Sequence, residues 1–198
     1  MRQKPAYETN MSSDQKRKTR YTKIIVAYPF ALIAISVLAN VLLFGVTPAV
    51  VALPTFSLVA ALVASAILLL VNHTWLMTST ELTRLNYDMH ATPEEWAASG
   101  HLQSDVSAEG ARELERRHNA HRNATENTVH FAFLALLVGG VSPVTLAAQV
   151  WTIGFAVGRL GHSFCYLTGR DGARGAFMSV SLISLYGLAS YLAISVFV

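Results

Sequence analysis

The stretch "RRHNAHRNATENTVHFAFLALLV", residues 116–138, runs from a crowd of charged and polar side chains into an apolar stretch of membrane grade, with no turn residue between them. Ionisable groups carried to membrane depth are costly, and they normally face a bundle interior or a wet cavity. At a helical period Asn119, Arg122, Asn123, Glu126, Asn127 and His130 share one stripe, at spacings of three and four. Val129, Phe131, Phe133, Leu134, Leu136 and Leu137 take over beyond it. Arg122 and Glu126 can pair at i, i+4 as an interfacial ion pair that merely finishes the helix. Six polar groups on one stripe favour a cavity instead.

A second stripe follows. "GRLGHSFCY" sets Arg159, His162, Ser163 and Tyr166 at i, i+3, i+4 and i+7, with Arg159 inside an apolar run. The structural alternative for Arg159 is a pair with Glu126. Arg84 closes the preceding apolar segment and Arg174 opens the last one. Four guanidinium groups converging on one hollow would suit a small anionic ligand bearing carboxylates, which planar guanidinium forks hold bidentately. Glu126 would meet an amino group on it.

The rest of the chain supplies the setting. Of its 198 residues 53% are hydrophobic and 14% charged, against about a quarter charged in a typical soluble domain. A single cysteine, Cys165, excludes a disulfide framework and a cysteine-rich zinc site. His118 and His121 at i, i+3 are too common a pattern to indicate a metal, and none is expected. Residues 1–23 form a basic tail expected to be disordered until its last turn. Five apolar segments then suit bilayer-spanning helices of about 20 residues, at 24–46, 50–79, 124–140, 144–167 and 176–197. In the long polar link, "MHATPEEW" predicts a turn and a short helix capped by Thr92 with Pro93 at its first position. Ser107 caps the helix that follows.

Fourteen of the fifteen Lys and Arg residues lie in the tail, in 80–123 and in 167–175, leaving only Arg159 elsewhere. The positive-inside rule puts all three regions in the cytoplasm. The tail sets topology and touches anionic lipid; nothing in it reads as a nucleic-acid motif. Asn72, midway along the second segment, is expected to bond a neighbouring helix.

"ERRHNAHRNATEN" resembles the signature of the MAPEG family, membrane-associated proteins in eicosanoid and glutathione metabolism. "GRLGHSFCYLTG" is similar to that family's second motif, and "TRLNYDMHATPEEWAASG" to its first loop. The resemblance covers about 55–198, and the microsomal glutathione transferase and prostaglandin E synthase branches are the most similar. It implies an all-α integral membrane protein, with a four-helix bundle over 50–198 that assembles as a homotrimer and with 24–46 as an extra N-terminal transmembrane helix. It also implies glutathione as cofactor, bound between subunits near the cytosolic face, in the endoplasmic reticulum or a bacterial inner membrane.

Carried over by position, Arg84, His121, Arg122, Asn123, Glu126, Arg159, His162 and Tyr166 match glutathione-binding or motif positions. Arg174 matches the thiolate-stabilising Arg after a one-residue gap, which makes Arg174 and Tyr166 the catalytic pair. Glu95 matches an acidic loop residue that orients that Arg. Asn119 departs from the pattern, standing where the signature has Arg, and Gly175 and Met178 weaken a prostaglandin isomerase reading. The resemblance therefore implies an enzyme, a glutathione-dependent transferase or peroxidase acting on a lipophilic small-molecule substrate. The alternatives are a noncatalytic lipid-binding or scaffold member, and a small transporter using Glu126, His130, Arg159 and His162 as relays.

Overall fold

A computed structural model describes the backbone of residues 6–198 and the side chains from Gln15 onward. Six α-helices make up the described chain: α1 Ala6–Leu38, α2 Phe56–Asn86, α3 Pro93–Ser99, α4 Ala108–Gly139, α5 Thr145–Leu167 and α6 Asp171–Ser195. The protein is an all-α membrane protein. By length and composition three helical stretches suffice to cross a membrane: Gln15–Phe44, Phe56–Asn86 and Asp171–Ser195. The remaining two long helices, α4 and α5, are the ones that carry the polar stripes. They pack among the others, with α5 lying mainly against α6 and α2.

Several boundaries differ from the sequence reading. The tail is helical from Ala6 rather than disordered, and residues 1–5 lie outside the described residues. Nothing between Ala6 and Pro29 breaks a helix, so α1 runs continuously into its apolar part. The second helix starts at Phe56, not 50, because Pro54 precedes a cap in which Thr55 Oγ1 accepts from the Leu58 amide at 3.3 Å. It then runs to Asn86, about 46 Å at 1.5 Å per residue, which keeps Arg84 on helical backbone. Helix α6 begins at Asp171 rather than 176.

The loop behaves as the sequence predicts. Thr92 Oγ1 accepts from the Glu95 amide and caps α3, with Pro93 in its first turn, while Glu95 Oε2 accepts from the Ala91 amide just before the cap. Ser107 Oγ accepts from the Gly110 amide and opens α4, which passes without interruption from polar loop to apolar core.

The two short turns meet at one end of the bundle. There Tyr191, 2% exposed, accepts from the Val144 amide at 2.8 Å and lies 3.1 Å from Thr47 Oγ1, joining the α1–α2 and α4–α5 connections. The long loop and the α5–α6 turn meet at the other end and bring the basic clusters together there. In the core, Phe131 and Phe155 stack at 4.2 Å beside Trp151, Leu58 and Leu188. Helices α5 and α6 approach closely because Gly158 has no side chain: a Cβ there would lie 2.7 Å from the Ser181 backbone nitrogen.

Helix α1 is fastened by directional bonds rather than by apolar packing alone. Leu32, Ser36 and Asn40 form its buried face against α6. Ser36 Oγ donates to the Ile183 carbonyl at 2.9 Å. Asn40 donates to the Gly187 carbonyl at 2.8 Å and to Ser190 Oγ at 3.0 Å, and it accepts from Trp151 Nε1 at 2.8 Å. Nearer the basic end Tyr28 and Ser179 share a hydrogen bond of 2.8 Å. The helix widens to π geometry over Ala39–Phe44, where Asn40 inserts.

Replacing Asn40 by Leu strips Trp151 Nε1 and the α6 groups of their partner in a setting without water. Thermal unfolding of the detergent-solubilised protein is expected to show a loss of about 1–3 kcal/mol. A variant as stable as the wild type would mean that apolar packing alone seats α1.

Candidate functional site

The polar stripe of α4 divides between two neighbours. On one side Asn123 Oδ1 accepts from Arg159 Nη2 at 3.1 Å. On the other, Arg122 and Glu126 line an open hollow of about 600 Å3 with Glu115, His118, Asn119, His121 and Thr125. The two ion pairs that the sequence offered as structural alternatives are not made. Arg122 donates to Asn119 Oδ1 instead of pairing with Glu126, and Arg159 bonds Asn123 rather than Glu126. One helical turn separates each alternative partner, and the neutral Asn side chains sit nearer each guanidinium. Glu126 therefore faces the hollow with no ion pair among the described residues.

Arg159 is 0% exposed, and its Nε and Nη1 have no partner in the described chain. His162 Nδ1 and Ser163 Oγ, on the same helix, are buried and unpartnered as well. A buried cation with unmet donors is strongly disfavoured unless an acceptor reaches it. These groups thus hold hydrogen-bonding capacity for something outside the chain.

Tyr166 and Arg174 form a second hollow, of about 470 Å3, with Arg112, Glu115, Arg116, Asn119, Gly169 and Asp171. Gly169 adopts φ +69° in the turn between α5 and α6, a conformation that favours glycine, and the chain reverses there to bring Arg174 back over the Tyr166 ring at 4.8 Å. Arg174 also reaches Asp171 at 3.3 Å, and the His162 ring lies 5.8 Å from that of Tyr166. The two hollows share Glu115 and Asn119. Arg112 and Arg116 were not singled out in the sequence. Their signal was the i, i+4, i+7 run Arg112–Arg116–Asn119 on the face that continues the stripe. Arg117, by contrast, is held by Glu113 at 2.6 Å.

Arg84 stands behind the first hollow. It pairs with Glu81, and its Nη2 lies 3.3 Å from His118 Nε2. Glu95 lines a smaller hollow of about 240 Å3 beside Arg84, so within one chain it does not orient Arg174. The expected convergence of four guanidinium groups on a single hollow is likewise not found in one chain: Arg122 and Arg174 occupy adjoining hollows, Arg84 lies behind His118, and Arg159 is interior. His121 Nε2 meets His73 Nδ1 at 3.1 Å, a partner on α2 that the sequence reading missed. Asn72 does not bond a neighbouring helix through its carbonyl: Oδ1 is buried without a partner.

The donor set suits a ligand with carboxylates and an amine. Guanidinium groups, an unpaired carboxylate, and buried donors lacking acceptors lie on three adjacent helices. The model of the MAPEG family matches residues 58–194, from the first turn of α2 to the last turn of α6, leaving α1 outside. No curated protein and no solved structure matches.

Burial holds the pKa of His118 below its ordinary 6.5, aided by the cations Arg84 and Arg122 and opposed by Glu81. Burial, then His73 and His118, does the same for His121. Such groups bind fewer protons folded than unfolded, so the stability they allow is lost as pH falls below about 6.5 toward the folded values. Thermal unfolding in detergent is expected to show lower stability at pH 5 than at pH 7, with a smaller difference in the His118→Gln/His121→Gln double variant. An unchanged difference would assign the dependence to other groups.

Proposed function

Because the chain belongs to the MAPEG family, we propose that it is a glutathione-dependent transferase or peroxidase of the membrane, acting on lipophilic electrophiles or lipid hydroperoxides. The observation that carries this reading is the set of unmatched buried polar atoms on Arg159, His162 and Ser163, beside two adjoining hollows that hold Arg122, Glu126, Tyr166 and Arg174. Glutathione would supply two carboxylates, an ammonium group and the nucleophilic thiol.

Arg122, Arg159 and Arg84 are the groups to hold the carboxylates, Asn123 and His121 to hydrogen-bond the peptide, and Glu126 to hold the ammonium group. Arg174 lies over Tyr166. A cation beside sulfur lowers a thiol's pKa and raises the nucleophilic fraction at neutral pH.

Asn119 removes a positive charge that the family signature places on α4. Arg116 and Arg112 line the same hollow as Asn119 and place positive charge one and two turns earlier. Both hollows are open on one side, and a homotrimer would close them with a neighbouring subunit's wall, bringing a second Arg84 and Glu95. The basic ends face the cytoplasm on this reading, in the endoplasmic reticulum or a bacterial inner membrane.

Isothermal titration of the purified oligomer with glutathione, together with a conjugation assay on an aromatic electrophile, tests the reading. Arg174→Leu is expected to lower kcat about 10²-fold while glutathione affinity stays within a few fold. Glu126→Gln is expected to weaken binding about tenfold. Absence of both binding and turnover in the intact oligomer would leave a noncatalytic lipid-binding member, the reading that Asn119 favours.

A further inference from the structure

Near the basic end α1 touches α6 through a pair of hydroxyls, Tyr28 Oη and Ser179 Oγ, 2.8 Å apart. Ser179 Oγ also lies 3.0 Å from the Gly175 carbonyl, which can only accept. A serine hydroxyl carries one proton, so Ser179 donates to Gly175 and accepts from Tyr28. The bonds therefore run one way, from α1 through Ser179 to the residue that follows Arg174. Tyr28 stands five residues past Lys23, about 7.5 Å into the apolar part of α1 at 1.5 Å per residue. Water competes little for a hydroxyl at that depth.

The start of α6 needs such a tie. Residues 171–176 are exposed except for half-buried Arg174. Gly172 and Gly175 fall in this stretch with open space beside them, and only proline is a poorer helix former than glycine. One turn further on, α6 is pinned from two sides. Phe177 lies over Gly161 and Ser181 over Gly158 of α5, while Tyr28 holds Ser179 from α1. The bond from Ser179 to Gly175 carries that fixity back toward Arg174. We propose that Tyr28 is a positioning residue: by donating to Ser179 it steadies the first turns of α6 and so sets Arg174 over the Tyr166 ring, beside the thiol. The brace stands on the hydrogen bonds alone, and its effect on the thiol rests on the glutathione reading. Helix α1, outside the family match, thereby becomes a working part of the site.

The test compares Tyr28→Phe, which keeps the ring and loses the hydroxyl, with the wild type as full-length oligomers in nanodiscs. Without glutathione, amide hydrogen exchange across 174–179 is expected to quicken about three- to tenfold, while exchange across 183–191 holds. Ser179→Ala should act alike, and the double variant should do no more than either single one, because both work through one bond. Ile25→Ala, on the exposed outer face of α1, should change nothing. With glutathione, the pH at which the bound thiol ionises, read from thiolate ultraviolet absorbance, should rise in Tyr28→Phe. Its kcat should fall about three- to tenfold with KM for glutathione unchanged. Unaltered exchange across 174–179 overturns the brace. So does exchange that quickens equally along all of α6, which is loss of stability alone. Local quickening with an unshifted thiol pH shows a brace that does not set Arg174, and it overturns the positioning role. If the wild type binds no glutathione, the transferase reading falls by itself and the exchange measurement still decides the brace.

Discussion

A bilayer offers no hydrogen-bonding solvent, so every polar side chain within it must find its partner on another helix or on a guest. This constraint sorts the polar residues of the chain into two kinds. Asn40 uses both ends of its amide on Trp151, Gly187 and Ser190, and Ser36 bridges to Ile183. Tyr191 accepts from the turn it closes. These are satisfied groups, and they hold helices in register. Arg159, His162, Ser163 and Asn72 are equally buried yet keep unmatched atoms. Unmatched buried polar atoms are few in folded proteins, and each calls for an explanation. Three of these four residues, Arg159, His162 and Ser163, share one face of α5, and Asn72 stands on α2.

The same sorting explains what could be foreseen from the sequence. Helices, caps and the clustering of basic residues follow from local chemistry: Thr92, Pro93 and Ser107 mark boundaries that their own backbone neighbourhoods set, whereas the boundary at Pro54 was missed. Hydropathy shows where helices lie but not which faces meet. The Asn40–Trp151 bond spans 111 residues and the His73–His121 bond 48, and no spacing rule links such pairs. The stripe on α4 was legible because its members are three and four apart. Its partners were not, since Asn119 and Asn123 outcompete Glu126 by position in the packed bundle rather than by charge. Mean hydropathy also misjudges α4 and α5, because residues that face the interior count against membrane insertion as heavily as residues that face lipid.

Helix α1 lies outside the stretch that matches the family, yet it is not a loose appendage. It runs parallel to α6, touching it near both ends, with Tyr28 on Ser179 and Asn40 on Gly187. Its outer face, with Ile25, Phe30, Leu42 and Leu43, is exposed and apolar. An added helix thus covers the outer side of α6 while the inner side packs on α5. Helix α6 also carries Arg174 in its first turn. Bracing a helix on two sides limits how far its end can move, so α1 contributes to where that guanidinium stands over Tyr166.

The arrangement of charge within one chain bears on what completes the site. Arg122, Glu126 and Arg174 border hollows open to the outside of the bundle, at the level where α4 leaves the polar loop. Charged groups left against lipid there would be costly, and water alone would screen them without using the donors of Arg159 and His162. A facing surface that is itself polar removes both difficulties. Half-buried Arg84 and exposed Glu95 line a separate hollow and not that of Arg174 within the same chain, and an adjacent copy could present them to it. On the proposed trimeric reading the guanidinium groups that stand apart in one protomer therefore act together across a contact between copies, and the stripe on α4 is the seam along which they do so.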